Sequence, residues 1–354
     1  MDTKIAYLKK LPTLKKLSEI IGYAPTQTLV IYDRKLEKTS TISKWLKTGQ
    51  KVDYPVTAGE KLKDLDYYPG HAKKILRKLG PAERGKCVVI AVGGGTVGDF
   101  AGFFASTFKR GVPLVHIPST MLAAMDSAHG GKNALNISGV KNQVGTFYPA
   151  EAVLIAREIL QTIPVPQMKS AGGELAKTIL IEGGEFFEQA KEADFNDFAT
   201  FWKFLPQAID TKNRIVEQDP LEKSGKRQIL NLGHTFGHAL ESYYGISHGL
   251  AVGLGLVFST HWSHHHGFLS LQDQEVILDF LHDKVGVPKI HQFVKGKKSL
   301  TRAKLEKLIL DDKKVIGLNS VTFIFLEGIG KPFRKTVDID SFLTEAQRQG
   351  WSPQ

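Results

Sequence analysis

The sequence predicts an α/β protein, with an N-terminal Rossmann-like parallel-sheet domain followed by a mainly α-helical C-terminal domain. Three observations carry that reading. Short β-branched and apolar runs alternate with helix-patterned segments through the first half. One of those runs, Cys87 to Val92, ends in Gly93-Gly94-Gly95 and leads into an apolar segment suited to a helix. Beyond Pro164 and Pro166 the apolar residues follow helical spacing and strand-like runs become scarce. The two prolines place the boundary between 160 and 168, giving domains of 1–165 and 166–354.

In chain order, Thr28 to Tyr32 is an apolar run closed by Asp33, and Val56-Thr57 is a weaker strand candidate leading into Ala58-Gly59-Glu60. From His71 to Leu79, Ala72, Ile75, Leu76 and Leu79 recur at helical spacing. Cys87 to Val92 reads as a buried strand, Phe100 to Phe108 as a helix, and Val112 to Ile117 and Ala152 to Ala156 as further strands. That rhythm predicts a parallel sheet whose ligands lie beyond the carboxyl ends of its strands. In the second half, Leu205, Ala208 and Ile209, then Leu305, Leu308 and Ile309, mark helices, and Ser320 to Phe325 is the main strand. No internal repeat or low-complexity tract interrupts the chain.

Composition narrows the function classes. A chain of 354 residues with 42% hydrophobic content can bury one large core or two ordinary ones, and its length favours two domains. The formal charge of +11 admits nucleic acid, an anionic membrane surface or a small acidic ligand as partner. The basic residues are spread along the chain, and no homeodomain, zinc-finger or aromatic-studded RNA-binding pattern is present. Cys87 is the only cysteine, so an intrachain disulfide and a cysteine-based zinc site are both excluded. Met1 to Ile21 carries five lysines and lacks the apolar stretch of a signal peptide, and the longest apolar window, Gly249 to Phe258, is too short to span a bilayer. A cytoplasmic location is expected, with neither membrane nor nucleic acid as partner.

Gly93-Gly94-Gly95-Thr96-Val97-Gly98-Asp99 joins a strand to a helix. Glycines there let a backbone approach a pyrophosphate, and a helix amino end offers N–H donors to it. The spacing is not G-x-G-x-x-G, so a turn that is glycine-rich for packing stays open beside the dinucleotide reading. Asp33 and Glu60 each follow a strand candidate, where a carboxylate can accept from ribose hydroxyls. By themselves they read equally as turn acids.

His234 and His238 stand four apart, on one face of a helix. Zinc proteases share that spacing but need glutamate directly after the first histidine, and Thr235 stands there. With His248 and with Glu174 in Gly173-Glu174-Leu175-Ala176-Lys177, the histidines form the make-up of a catalytic zinc site, two imidazoles and one carboxylate. Each alone reads as a satisfied polar group. His261, His264, His265 and His266 read as a solvated helix end. Lys132 and Lys141-Asn142 sit in glycine-rich surroundings that can wrap a phosphate, with Lys177 as a third such cation.

Together these segments resemble the 3-dehydroquinate synthase family. The run from Gly93 to Pro149 follows the family's glycine-turn, arginine, lysine and Lys-Asn elements nearly in register, and Leu230 to His238 carries its Leu-Asn-Leu-Gly-His-Thr-Phe-Gly-His block intact. The resemblance implies that Glu174, His234 and His248 hold zinc, with cobalt as the alternative ion. It implies an NAD site lined by Asp33, Glu60, Lys63, Gly94, Gly95, Thr96, Asp99, Ser119, Thr120 and Thr162, with Lys132 and Lys141 beside it. Lys132, Asn142, Lys177 and Asn231 would bind the substrate phosphate, and Arg110 would reach in from the second subunit of a homodimer. Lys212, Arg227 and one of Lys313 or Lys314 would hold the carboxylate of a sugar acid phosphate. Asp126, Lys141 and His238 would face the reacting hydroxyls.

The implied reaction is transient oxidation of a secondary alcohol by NAD, elimination of phosphate, return of the hydride and aldol closure of the ring. Three departures from the family stand out. Leu250 replaces the glutamate that usually follows His-Gly, the stretch between His238 and His248 is short, and Ser119 stands for threonine. The first removes a carboxylate from beside a proposed ligand, a loss that costs ~10–100-fold in metal affinity or activity. The alternatives are another sugar-phosphate cyclase, such as 2-deoxy-scyllo-inosose synthase, and a metal-dependent polyol or glycerol phosphate dehydrogenase that releases NADH. From a different class comes an inactive relative that binds metal or nucleic acid through its basic surface.

Overall fold

The computed structural model describes residues 3–81, 87–311, 315–316 and 319–351. The chain divides into two compact units, 1–164 and 165–354.

Unit 1 is built on a six-stranded, wholly parallel sheet of order β1-β8-β5-β4-β2-β3. Its strands are β1 (Lys4–Leu8), β2 (Gln27–Asp33), β3 (Val52–Val56), β4 (Cys87–Gly93), β5 (Leu114–Pro118) and β8 (Ala152–Ala156). β4, β5 and β8 are buried along their whole length, which is why they read as unbroken apolar runs rather than alternating ones. Val30, Ile90, Val92, Ile117 and Leu154 pack with Leu17, Ile21, Ile42 and Trp45 from α1 (Leu14–Ile21) and α2 (Ser40–Leu46) to form the core on one side of the sheet. Cys87 is a buried core thiol. The sequence patterning missed β1, because this edge strand lies in a lysine-rich stretch and is only half covered.

The chain leaves β2 toward one edge of the sheet and leaves β4 toward the other. The carboxyl ends of β2 and β4 therefore flank a topological switch point, the crevice in which open α/β sheets bind ligands. The helix after β4, α4 (Gly95–Thr107), begins five residues ahead of Phe100, inside the glycine turn. Its glycines suit close packing: a Cβ on Gly102 would lie 1.7 Å from Asn133 Oδ1. Asn133 belongs to a hairpin of β6 (Lys132–Ile137) and β7 (Val140–Phe147), in a stretch whose glycines had suggested loop. Two further helices, α3 (Tyr68–Leu79) and α5 (Arg157–Leu160), complete the unit.

Unit 2 is mainly helical. It contains α6 (Val165–Lys169), α7 (Gly172–Glu182), α8 (Gly184–Lys191), α9 (Phe198–Gln218), α10 (His234–Tyr244), α11 (His248–His265), α12 (Leu271–Asp279), α13 (Ile290–Val294), α14 (Arg302–Leu310) and α15 (Ile339–Arg348). A small antiparallel sheet of β9 (Val315–Ile316), β10 (Ser320–Leu326) and β11 (Pro332–Asp338) packs against α11. α11 is buried from Ala251 through Thr260 and joins Phe236, Phe323, Phe325 and Phe342 in an aromatic core, with Phe236 stacked on Phe258 at 4.2 Å between ring centres. Among the described residues no helix is long and apolar enough to cross a membrane. Of the histidines read as a solvated helix end, His265 and His266 are exposed, whereas His261 is partly buried and bonded to Gln274.

Candidate active site

Three helices of unit 2 meet through glycines. A Cβ on Gly173 would lie 1.9 Å from the carbonyl oxygen of Gly249, and one on Gly255 would lie 1.8 Å from that of Gly233. The backbones of α7, α10 and α11 therefore touch with no side chain between them. Each of these contacts adjoins a candidate ligand: Gly173 precedes Glu174, Gly233 precedes His234, and Gly249 follows His248.

Close approach brings the three side chains to one point. Glu174 Oε1 lies 3.0 Å from His234 Nε2 and 3.1 Å from His248 Nε2, and one donor atom from each residue falls within 4.8 Å of the others. The other ring nitrogens point away: His234 Nδ1 lies 3.2 Å from the carbonyl oxygen of Leu232, and His248 Nδ1 lies 2.8 Å from Glu241 Oε2. Both of those partners are acceptors, so each neutral ring carries its proton on Nδ1 and turns the Nε2 lone pair toward Glu174. Two imidazoles and one carboxylate fit a divalent ion with a position left open.

The surroundings fit that arrangement. Glu174 and Lys177 are both buried, with Lys177 Nζ 2.5 Å from Glu174 Oε2. Burial alone would raise the Glu174 carboxyl, but Lys177 and His234 hold it well below the usual carboxylate range. Burial, reinforced by Lys177, pulls His234 down. Burial also opposes charge on His248, yet its hydrogen bonds to Glu174 and Glu241 prevail and push it up to about 10, the mark of a position that favours positive charge. His238 completes the group, its ring centre 5.2 Å from that of His234 and 5.8 Å from that of His248.

Lys212 on α9 and Arg227 are buried as well. Burial of Arg227 rules out a surface position after Lys223-Ser224-Gly225-Lys226. Its backbone N–H donates to Asp219 Oδ2 at 3.3 Å and its Nη1 donates to the carbonyl oxygen of Pro220 at 3.2 Å. Burial opposes the charge on Asp219, but donation from the backbone N–H groups of Ser224, Arg227 and Lys223 holds its carboxyl down to about 2. An α-helix would carry Arg227 and Asn231, four residues apart, on one face, but this stretch is not one. Lys226–Asn231 is a 3-10 helix, and at three residues per turn Asn231 sits about 120° round from Arg227. Lys313 and Lys314 lie outside the described residues.

In unit 1 the candidate residues gather at the carboxyl ends of β2, β3, β4 and β5. Asp33 closes β2 and accepts from the N–H of Lys35 at 3.1 Å. Glu60 follows β3 and accepts from Asn136 Nδ2 at 2.9 Å. Gly94 and Gly95 open α4 with no side-chain cap, and Thr96 Oγ1 accepts from the N–H of Gly59 at 3.1 Å. Ser119 and Thr120 follow β5, where Thr120 Oγ1 accepts from the N–H of Ala123. Thr162 follows β8 by way of α5 and donates to the carbonyl oxygen of Ile159. Asp126 lies in a π-turn at Ala123–Ser127, Arg110 is exposed with φ 66°, and Lys132, Lys141 and Asn142 are exposed on the hairpin.

Lys63 ties these parts together, its Nζ lying 2.6 Å from Asp99 Oδ2 and 2.5 Å from Asn142 Oδ1. Burial raises the Asp99 carboxyl, and Lys63 partly offsets that rise. Lys63→Met leaves the partly buried Asp99 without this cation and is expected to cost unit 1 about 1–3 kcal/mol. The figure falls below that of a fully buried pair because the Asp99 side chain stays 21% exposed. A lowered thermal midpoint of the purified chain is the check, and an unchanged midpoint removes Lys63 from the stability argument.

Family models match in two adjoining blocks, 3-dehydroquinate synthase N-terminal over residues 53–170 and 3-dehydroquinate synthase C-terminal over residues 171–315. The chain is also 37% identical to a 3-dehydroquinate synthase of Leptospira interrogans, over 90% of this chain and 88% of that one. The chain belongs to the 3-dehydroquinate synthase family. A 3-dehydroquinate synthase of Coxiella burnetii is 36% identical over 77% of this chain and 75% of its own. Among solved structures, 2-deoxy-scyllo-inosose synthase complexed with carbaglucose-6-phosphate, NAD+ and Co2+ matches with a TM-score of 0.83 and 25% identity, over 97% of this chain and 96% of that one. A 2-epi-5-epi-valiolone synthase from Streptomyces hygroscopicus shares the fold, with a TM-score of 0.79 and 21% identity over 98% of each chain.

Within the 3-dehydroquinate synthase family, Leu250 suggested that His248 lacks a neighbouring carboxylate. The structure corrects this expectation, because Glu241 supplies one from α10. The short stretch after His238 is part of the reason: α10 ends at Tyr244, and only Gly245 to Ser247 separate it from α11. Sequence reasoning missed Glu241, Asp219 and Asn136. A signal for Glu241 was present, since His234, His238 and Glu241 recur at i, i+4 and i+7 on one helical face.

Proposed function

We propose that this 3-dehydroquinate synthase family member closes 3-deoxy-D-arabino-heptulosonate 7-phosphate to 3-dehydroquinate with release of phosphate, using NAD and a divalent ion, zinc or its substitute cobalt. The observation that carries the reading is the convergence of Glu174 Oε1 with His234 Nε2 and His248 Nε2 at 3.0 and 3.1 Å, beside buried Lys177.

In this reading Glu174, His234 and His248 hold the ion, which when bound polarises an oxygen of the substrate. Asp33, Glu60, Lys63, Gly94, Gly95, Thr96, Asp99, Ser119, Thr120 and Thr162 hold NAD, which lends reversible hydride acceptance. The switch point of the sheet and the uncapped amino end of α4 support that assignment. Lys132, Asn142, Lys177 and Asn231 are the residues assigned to the phosphate and its departing charge. Lys212 and Arg227, with Lys313 or Lys314, hold the carboxylate. Asp126, Lys141 and His238 face the reacting hydroxyls, and the imidazole of His238 can take or return a proton there. Arg110 serves a second subunit of a homodimer, and the enzyme works in the cytoplasm within aromatic amino-acid biosynthesis.

The test incubates the purified chain with NAD, zinc and the heptulosonate phosphate and follows free phosphate and NADH together. Phosphate release that depends on NAD, with no net NADH, is expected. Sustained NADH from a polyol overturns the reading in favour of a dehydrogenase. Gly95→Val is a sharper probe of the cofactor side, because a Cβ there already lies 3.1 Å from Ser127 Oγ and a branched side chain crowds the start of α4. NAD affinity is expected to fall about 10-fold or more, about 1.4 kcal/mol. Calorimetry on a variant of unchanged melting behaviour measures it, and unchanged affinity assigns Gly95 to packing alone.

A further inference from the structure

Resting on the reading of Glu174, His234 and His248 as ligands, we propose that Glu241 is a positioning residue for the metal, fixing the His248 imidazole so that Nε2 is its donor atom. The ring of His248 is spanned by two carboxylates, Glu241 Oε2 at 2.8 Å from Nδ1 and Glu174 Oε1 at 3.1 Å from Nε2. An acceptor at Nδ1 holds the proton on that nitrogen, points the Nε2 lone pair inward and raises its basicity as a ligand.

The two histidines differ in what performs this task. His234 has an 11% exposed side chain, and its Nδ1 faces a backbone carbonyl, that of Leu232. His248 has a 28% exposed side chain and stands at the first position of α11, where the ring has more freedom to turn and to change tautomer. Its orientation therefore depends on a side chain. Glu241 is well placed to set it, because α10 also carries His234 and His238 on the same face. One rigid helix thus provides one ligand and the support of another. Leu250 cannot perform this task, having no acceptor to offer.

The experiment uses the full-length chain, stripped of metal and titrated with zinc against a chelating dye, in unaltered, Glu241→Gln, Glu241→Ala and His234→Ala forms. The cobalt-loaded forms are compared by visible absorption. Glu241→Gln is expected to weaken zinc binding ~10–100-fold, because an amide nitrogen can donate to Nδ1 and reverse the tautomer. It should shift the cobalt bands while leaving the melting temperature of the metal-stripped protein unchanged. Glu241→Ala should weaken binding similarly, and the near-isosteric glutamine variant carries the test if the alanine variant does not fold. Zinc affinity and cobalt spectrum equal to those of the unaltered chain in the Glu241 variants, with His234→Ala unable to bind, overturn the role of Glu241 alone. Failure of the unaltered chain to bind zinc, or binding by His234→Ala at full strength, overturns the ligand reading and this inference with it.

Discussion

Replacing His234 with alanine is expected to take the metal content from about one ion per chain, the complement of a catalytic zinc site, to near zero and to stop turnover. His234 Nε2 is one of three donor atoms within 4.8 Å, so its loss leaves Glu174 and His248, too few to define a closed coordination shell. Loss of a Lewis acid removes several kcal/mol of transition-state stabilisation. At about 3–5 kcal/mol, the rate falls by a factor on the order of 10²–10³ or more. The fold should survive, because His234 opens α10 at the glycine contact and the aromatic core around Phe236 and Phe258 does not depend on its ring. Elemental analysis of the purified variant reads the metal, phosphate release reads the chemistry, and NAD binding reports on unit 1. A variant that keeps its zinc sinks the ligand assignment, whatever its activity.

Much of this arrangement was legible in the sequence, for identifiable physical reasons. Strands buried on both faces announce themselves as unbroken apolar runs, so β2, β4 and β8 were found. β1 and the hairpin of β6 and β7 were not, since an edge strand and an exposed ribbon carry the lysines and glycines that otherwise mark loops. The candidate ligand trio could be listed from residue types, but what brings it together is backbone contact at Gly173, Gly233, Gly249 and Gly255. Periodicity does not register a contact made by the absence of a side chain. The spacing of Arg227 and Asn231 does not reveal which turn joins them, because a 3-10 turn and an α-turn look alike over five residues. Burial of Arg227 was hidden for a related reason: Lys223-Ser224-Gly225-Lys226 is polar yet ordered, with two of its backbone N–H groups donating to Asp219.

In the proposed function, substrate choice turns on that same arginine. Replacing Arg227 with methionine is expected to lower kcat/KM for the heptulosonate phosphate by about 2–5 kcal/mol, a factor on the order of 30 to 5000. Zinc and NAD affinity should not change. Cyclases acting on neutral sugars and on sugar acids can share metal, cofactor and phosphate loss, so only the partner of the carboxylate separates them. A guanidinium grips a carboxylate through two parallel hydrogen bonds, and methionine keeps much of its length while offering neither charge nor donor. The magnitude follows from burial. Arg227 is only 4% exposed, so a carboxylate paired with it is shielded from water, whereas a surface pair is worth about 0–1 kcal/mol. Its backbone is anchored to Asp219, whose carboxylate also accepts from Lys223 at 2.8 Å and Ser224 at 3.1 Å, so the side chain leaves from a fixed point and little ordering is required on binding. The acid and neutral substrates are to be compared in one assay. Normal turnover of the acid by Arg227→Met, or preference of the unaltered chain for glucose 6-phosphate, would move this family member to the neutral-sugar cyclases. Loss confined to the acid substrate, with zinc and NAD still bound, assigns the buried arginine to the carboxylate.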